Sequence, residues 1–385
     1  MRVLFVVTMM RLGGRERVVG EISDGFLLSG SEAEIFTVWK RPSYFNVQSN
    51  VRYSVEQLAE KGDTKFNHTS GGKVKGAVAI MAKTFLPYAF FQKARLAELV
   101  KLINSRNYDA IVLTDLTISF APVLKRKFPN LKLIGWVHMD YEPFINIQYK
   151  LYKKELRKAF IYLDKVIALT PNQAKGFQNL NPNVTSIPNP MPAVIKKTNN
   201  NRMKSEIKKM LVVSRIDVHH KGLDYLVEIL KKLKDMKQDW VLEFVGGGPV
   251  AEIAKFTKMI ESAGVSKYVN LRGPLPGTEV SEAMNESDIF VMTSRYEGFP
   301  MSLGEAMANK LPIIAFDIDG VRNVDIHCNA IVTVPFGDVD GFAKALSSLI
   351  GDENQRLRMI NSGIERAKEL SIEKVVDTWK QVLAR

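Results

Sequence analysis

Short runs of aliphatic and β-branched residues alternate along this chain with longer stretches whose apolar positions recur every three or four residues. Such alternation predicts parallel strands covered by helices. A covered strand is apolar on both faces, and each crossover helix needs one apolar stripe. In the first half, residues 3–7, 34–37, 110–113, 131–137 and 165–169 predict strands. In the second half the runs at 210–213, 240–245, 269–271, 289–292 and 313–315 do so, with helices over 223–234 and 250–263. The expected fold class is α/β, with two facing Rossmann-like doubly wound parallel-sheet domains and a cleft between them.

Proline and polarity mark the boundary. The PNPMP run that starts at Pro188 cannot continue a helix or a central strand, and the following KKTNNNRMK is turn-rich. Residues 188–201 are therefore the expected linker. An N-terminal domain over 1–190, a second over 202–370 and a closing segment over 371–385 follow from it. The last helix, 372–384, carries Val375, Trp379 and Val382 at helical spacing, which gives it a face to pack.

Composition narrows the class. A length of 385 residues suits two domains, and a 46% hydrophobic share is ordinary for globular chains. The single cysteine, Cys328, excludes an internal disulfide and suits a reducing compartment. No signal-peptide pattern follows the opening MRVLFVVTMM. The apolar region 76–91 is broken by Lys83 and Pro87, short of the ~20 residues that span a bilayer. The expected location is cytoplasmic, at most peripheral on the inner face of the cell membrane.

The net charge of +13 is unevenly spread. Residues 1–190 hold 27 Lys/Arg against 15 Asp/Glu, and the rest hold 27 against 26, so the first half carries +12 of it. One domain should therefore face something anionic: a nucleic acid, an acidic membrane or a phosphorylated acceptor. No nucleic-acid reading module is present, and no nucleic-acid partner is expected. Two basic, apolar stretches suit an interfacial helix on an anionic leaflet: 74–101, with Lys75, Lys83, Lys93, Arg95 and Lys101, and 149–158. A buried helix with its lysines in water reads the same way.

The candidate chemistry lies just after predicted strands, where open α/β sheets bind ligands. Gly13-Gly14 follows the first strand and lets backbone amides approach an anion, although a tight turn would look alike. Its spacing is not G-x-G-x-x-G, which argues against a nicotinamide-dependent oxidoreductase. Arg215 and Lys221 flank a loop between a strand and a helix, where a diphosphate would match a guanidinium fork and an ammonium. Gly246-Gly247-Gly248-Pro249 permits a close approach but lacks the Lys-Ser/Thr of a P-loop. Glu297 lies in the loop after the strand at 289–292, and a helix starting near Ser302 carries Glu305. The amides of Met301, Ser302 and Leu303 are expected to be open to a phosphate. Carboxylates on either side of an anion site suit hydroxyls, a sugar for Glu297 and a ribose for Glu305. His138, after the strand at 131–137, can bond a sugar or sit as a satisfied turn residue. Asp317-Ile318-Asp319 reads as a turn rather than a metal motif, and the adjacent His219-His220 have poor geometry for a shared metal.

Taken together, these segments resemble the retaining glycosyltransferases of glycosyltransferase family 4, of the GT-B fold, over essentially the whole chain. The likeness rests on GGRERV, WVH at 136–138, IALTPNQAK, SIPNPM, SRIDVHHKGLDYL, FVGGGP, LRGP and the E-x7-E of Glu297 and Glu305. It implies that Arg215 and Lys221 bind the donor diphosphate, that Glu297 contacts the donor sugar, and that Glu305 binds the ribose. By the same resemblance the segment Phe299, Pro300, Met301, Ser302, Leu303 holds sugar and phosphate, and Gly246, Gly273 and Leu275 line the nucleotide. His138 would lie near the sugar, and Gly13 and Gly14 would close the diphosphate site. The final helix would return to the N-terminal domain. The implied donor is a nucleotide sugar, UDP-linked, with no cofactor and no metal. The implied reaction moves a hexose or N-acetylhexosamine to a glycan or lipid-linked acceptor of a cell-surface polysaccharide or glycolipid. Two departures stand out: GVRNVD after Asp319 where a glutamate is common, and the histidine pair before Lys221. The alternatives are a sugar-nucleotide epimerase or hydrolase on the same scaffold, a binding protein without turnover, or a basic nucleic-acid-binding protein.

Overall fold

A computed structural model describes residues 1–10, 13–39, 47–53, 88–194, 207–236 and 238–384. The chain forms two compact units, Met1–Pro190 with Ile372–Arg385 and Met191–Ser371. Residues 74–87 of the first basic stretch, and the linker from 195 onward, lie outside the described residues.

The first unit contains a seven-stranded parallel sheet in the order β3-β2-β1-β4-β5-β6-β7. Its strands are β1 (Arg2–Val7), β2 (Glu32–Thr37), β3 (Asn50–Tyr53), β4 (Ala110–Thr114), β5 (Lys132–Trp136), β6 (Lys165–Ala168) and β7 (Val184–Ser186). β1 and β4 are its central neighbours, and almost every side chain on them is buried, which is why they read as unbroken apolar runs. Edge strands β3 and β7 are short and polar, and sequence periodicity gave no sign of them. Helix α1 (Gly14–Leu28) follows β1, and α2 (Lys93–Ser105) buries Leu96, Leu99 and Ile103. Helix α3 (Ala121–Lys127) follows β4, α4 (Lys153–Phe160) precedes β6, and α5 (Pro171–Phe177) follows it.

The second unit holds a six-stranded parallel sheet in the order β10-β9-β8-β11-β12-β13. These strands are β8 (Lys208–Val213), β9 (Trp240–Val245), β10 (Val269–Gly273), β11 (Ile289–Met292), β12 (Ile313–Phe316) and β13 (Ile331–Val334). β13 was not expected from the sequence. The helices of this unit are α6 (Leu223–Asp235), α7 (Val250–Ser262), α8 (Gly277–Glu286), α9 (Met301–Ala308), α10 (Asp319–Val324), α11 (Val339–Gly351) and α12 (Glu353–Glu369).

The last helix, α13 (Ile372–Ala384), belongs to the first unit and packs on α1. Its Trp379 is fully buried, with its ring 4.8 Å from that of Trp136 and 6.3 Å from that of Phe5. Gly25 makes the contact possible, because a Cβ there would stand 2.7 Å from Val376. The buried stripe is Val375, Val376, Trp379 and Leu383; Val382, expected on that face, is only partly covered. Lys132 donates to the carbonyl of Leu383 at 2.8 Å, a cation on the negative end of the helix. Truncating a tryptophan buried this way costs about 3–5 kcal/mol.

Candidate functional site

Strand order reverses direction where β8 meets β11 in the second unit, and the loops leaving their carboxyl ends are the default ligand position. The loop after β8 carries Arg215 and Lys221, and the loop after β11 carries Glu297. Backbone contacts lace the two loops together. Gly222 caps α6 in the left-handed conformation (φ +60°), and a Cβ there would overlap the Thr293 carbonyl oxygen. Thr293 in turn donates its hydroxyl to the Lys221 carbonyl at 3.1 Å.

The ammonium of Lys221 lies 2.6 Å from Oε1 of Glu297, with both side chains largely covered. Ser294 donates its hydroxyl to the same oxygen at 2.7 Å. Arg295 carries the next layer. It forms a two-pronged pair with Asp224 at 2.7 and 2.6 Å, donates to the His219 carbonyl at 2.7 Å, and lies over the Tyr225 ring. His220 stacks on Tyr296 with ring centres 4.1 Å apart, and its Nε2 is 3.0 Å from the Tyr296 carbonyl. Burial first, and then the Lys221 charge, lower the His220 pKa. The histidine pair is thus built into the loop that presents Lys221.

Arg215 differs from Lys221. It is exposed, and among the described residues it has no ion-pair partner. Behind it, the amide of Gly246 donates to Gly273 and that of Ser214 to Val245, at 2.9 and 3.1 Å. The close approach foreseen at Gly246 and Gly248 is made to protein. Cβ atoms there would overlap the carbonyl oxygens of Ser214 and Ile216. Gly273 is left-handed (φ +73°) at the end of β10, and Leu275 follows it half-exposed.

Pro300 caps α9, and the expectation of three open amides needs correcting. The Leu303 amide donates to the Pro300 carbonyl at 3.1 Å, so Met301 and Ser302 are what remain of that set. A tight first turn uses its own carbonyl in this way. Phe299 and Leu303 are buried, and Glu305 is partly buried within α9. The Asp317 carboxylate pairs with Arg322 at 2.6 Å, and Asp319 opens α10.

Gly13, Gly14 and His138 belong to the first unit, at the carboxyl ends of β1 and β5. Gly13 caps α1 in extended conformation beneath the Glu16 carboxylate, whereas Gly14 has open space around it. Arg15 pairs with both Glu16 and Asp115, and Asp115 is buried with a left-handed backbone (φ +51°). His138 lies 4.4 Å from the Trp136 ring, and its buried Nε2 has no hydrogen-bond partner among the described residues. Burial, followed by the Arg15 charge, holds its pKa well below the ordinary histidine value.

Sequence reasoning missed Ser294, Gly320 and the Asp224–Arg295 pair. Ser294 and Arg295 precede Glu297 by three and two positions in the chain, a signal that was available. Asp224 sits in the first turn of α6, and nothing in the sequence tied it to a partner 71 residues away.

Residues 195–366 match the family described as Glycosyl transferases group 1. A protein of Haemophilus influenzae described as an uncharacterized glycosyltransferase is 26% identical over 388 residues, covering 98% of both chains. A poly(ribitol-phosphate) alpha-N-acetylglucosaminyltransferase of Staphylococcus aureus is 28% identical over 286 residues, 71% of this chain and 54% of the relative. Among solved structures, Anabaena Alr3699/HepE in complex with UDP and glucose superposes with a TM-score of 0.76. It is 15% identical, covering 100% of this chain and 99% of that one, a likeness of fold. The fold is GT-B, and the family match and the relatives support a glycosyltransferase.

Proposed function

We propose that this chain is a retaining glycosyltransferase that moves a hexose or N-acetylhexosamine from a UDP-linked sugar. Its acceptor is a glycan or lipid-linked glycan in cell-surface polysaccharide or glycolipid synthesis. One observation carries the reading: Lys221 and Glu297 meet at 2.6 Å where β8 and β11 mark the reversal of strand order. An ammonium paired with one carboxylate oxygen keeps further N–H donors that can serve a second anion.

Transfer breaks the bond from the anomeric carbon to the diphosphate oxygen and forms one to the acceptor oxygen. Negative charge grows on the diphosphate as that bond lengthens. Arg215, Lys221 and the start of α9 at Met301 and Ser302 are the positive groups set to meet it. Glu297 would take hydroxyls of the sugar, and Glu305 those of the ribose. The acceptor proton would leave to the departing diphosphate, so no side chain need act as a covalent nucleophile. His138, kept neutral, would contribute a hydrogen bond rather than a charge. Gly13 and Gly14 would border the diphosphate, and Gly246, Gly273 and Leu275 the nucleotide. Metal independence is part of the proposal, since Arg215 and Lys221 supply the charge that a divalent ion would otherwise bring.

The test is calorimetric titration of the wild-type chain and Lys221→Ala with UDP, GDP and ADP. Saturable binding of UDP, weakened about tenfold or more in the variant, is the expected outcome. No binding of any nucleotide at about 1 mM would overturn the donor-site reading.

A further inference from the structure

We infer that the outer face of residues 147–162 docks the protein on an anionic lipid bilayer. After Trp136 the chain passes through a π-helical turn, Pro143–Gln148, and a short 3-10 turn, Lys150–Tyr152, into α4. The inner side of this segment is packed, with Phe144, Ile145, Leu156, Ala159 and Phe160 buried. Its outer side is unusual. Ile147 is 77% exposed, Leu151 55%, Ile161 73% and Tyr162 41%. Large aliphatic side chains left this open within a single sixteen-residue segment mark an interaction surface.

Cations run between them. Lys150, Lys154, Arg157 and Lys158 are all exposed, and Lys154, Lys158 and the C-cap residue Ile161 recur at helical spacing along α4 and its end. Arg157 contacts the Tyr141 hydroxyl, and Lys153 donates to Asn146, both neutral partners. Among the described residues none of these cations is paired with a carboxylate. Glu155, the one acid of α4, turns inward and accepts from the amides of Tyr88 and Ala89. The surface is therefore cationic and apolar at once.

That combination selects the occupant. A soluble polyanion would be met by the lysines alone and would gain nothing from three open aliphatic side chains. A bilayer carrying anionic headgroups uses both, with lysines at the phosphate level and Ile147, Leu151 and Ile161 entering the acyl boundary. Tyr162 suits the same interface, apolar in its ring and polar at its tip. No helix among the described residues is long and apolar enough to cross a membrane, so the contact would be peripheral.

The experiment is flotation of the full chain with vesicles of phosphatidylcholine alone and of phosphatidylcholine and phosphatidylglycerol in equal parts. The wild type should float with the mixed vesicles, lose that association at high salt, and stay with the soluble fraction when phosphatidylcholine is used alone. The variant Lys150→Gln/Lys154→Gln/Lys158→Gln should bind the mixed vesicles on the order of 100-fold more weakly, about fivefold per cation. The variant Ile147→Ser/Leu151→Ser/Ile161→Ser should lose at least about tenfold while melting like the wild type, since its changes lie on the surface. Equal association with both vesicle types would overturn the inference. So would undiminished binding by the serine variant, which would assign the cations to a soluble polyanion instead. Vesicle association needs no nucleotide, so its failure would leave the donor site untouched.

Discussion

A Cβ on Gly320 would stand 2.5 Å from the carbonyl oxygen of Glu297 and 3.1 Å from its Cβ, so the Glu297 loop rests directly on the first turn of α10. Neither atom is the end of a flexible chain. Gly320→Ala must displace backbone, by a few tenths of an ångström or more, and Glu297 moves with it. Misplacement of about 1 Å at a reacting group is worth up to ~100-fold in rate. Gly320→Ala is expected to cut transfer by about 10- to 100-fold while UDP affinity, proposed to depend on Lys221 and Arg215, changes less. Steady-state rates beside calorimetry separate the two. Equal losses in both would mean that the loops collapse together.

Glu297→Gln tests the ion pair from the other side. It removes the charge that holds Lys221 and leaves an amide of the same shape. The free ammonium is then available to the diphosphate, and one negative charge near it is gone. UDP is expected to bind about as tightly or a few-fold more tightly, whereas transfer should fall by ~100-fold. Weaker UDP binding would mean that Glu297 positions Lys221 rather than competing for it.

Gly14 offers a cleaner contrast than Gly222. An alanine at position 14 meets nothing within 4 Å, and the residue is the first of α1, so Gly14→Ala should leave the melting temperature unchanged or slightly raised. A fall in transfer without a fall in stability would then report a ligand close to that backbone. Gly222→Ala, left-handed and against Thr293, is expected to lose about 1–3 kcal/mol of stability. Thermal melts of both variants check the pair.

The pH dependence of stability follows from His138. Its folded pKa is lowered by burial and then by Arg15, while the unfolded chain titrates near about 6.5. Below that pH the unfolded state binds a proton that the folded state refuses. The stability is therefore complete above about pH 6.5 and declines as pH falls, by up to about 1.4 kcal/mol per unit. His138→Gln cannot titrate, so its melting temperature should fall less steeply between about pH 6.5 and 5. Parallel slopes for wild type and variant would show that the imidazole is protonated in the folded state.

Much of this was legible in the sequence, for identifiable reasons. Central strands such as β1, β11 and β12 are buried on both faces or nearly so, and an unbroken apolar run is hard to misread. Edge strands β3 and β7 have no such constraint, and NVRY and VTS carry too few apolar residues to register. The positions of Arg215, Lys221 and Glu297 after strands could be read from loop placement alone. What holds them could not, because Gly320 beneath Glu297 and Asp224 beside Arg295 are contacts between distant segments. The glycine run after β9 reads alike for a plain strand-to-helix turn and for a close approach to a ligand. Its freedom serves contact with Ser214 and Ile216, a protein–protein approach that sequence cannot distinguish from an approach to phosphate.

The Asp224–Arg295 pair gives the sharpest test of how the Lys221 loop is held. Exposed ion pairs are usually worth little, and the Asp224 side chain is 38% exposed. Here, however, the contact is bidentate, the guanidinium also donates to the His219 carbonyl, and its face covers Tyr225. A lysine cannot reproduce the fork or the stacking, so Arg295→Lys is not a conservative change. It is expected to lower stability by about 1–2 kcal/mol and to weaken UDP binding by about 3- to 10-fold, although neither partner is proposed to touch the nucleotide. Asp224→Asn should do the same. If the two act through one another, the double variant will bind UDP no more weakly than either single one. Losses that simply add would mean that each residue steadies the loop by a separate route, and that the His219–His220 segment depends on the arginine alone.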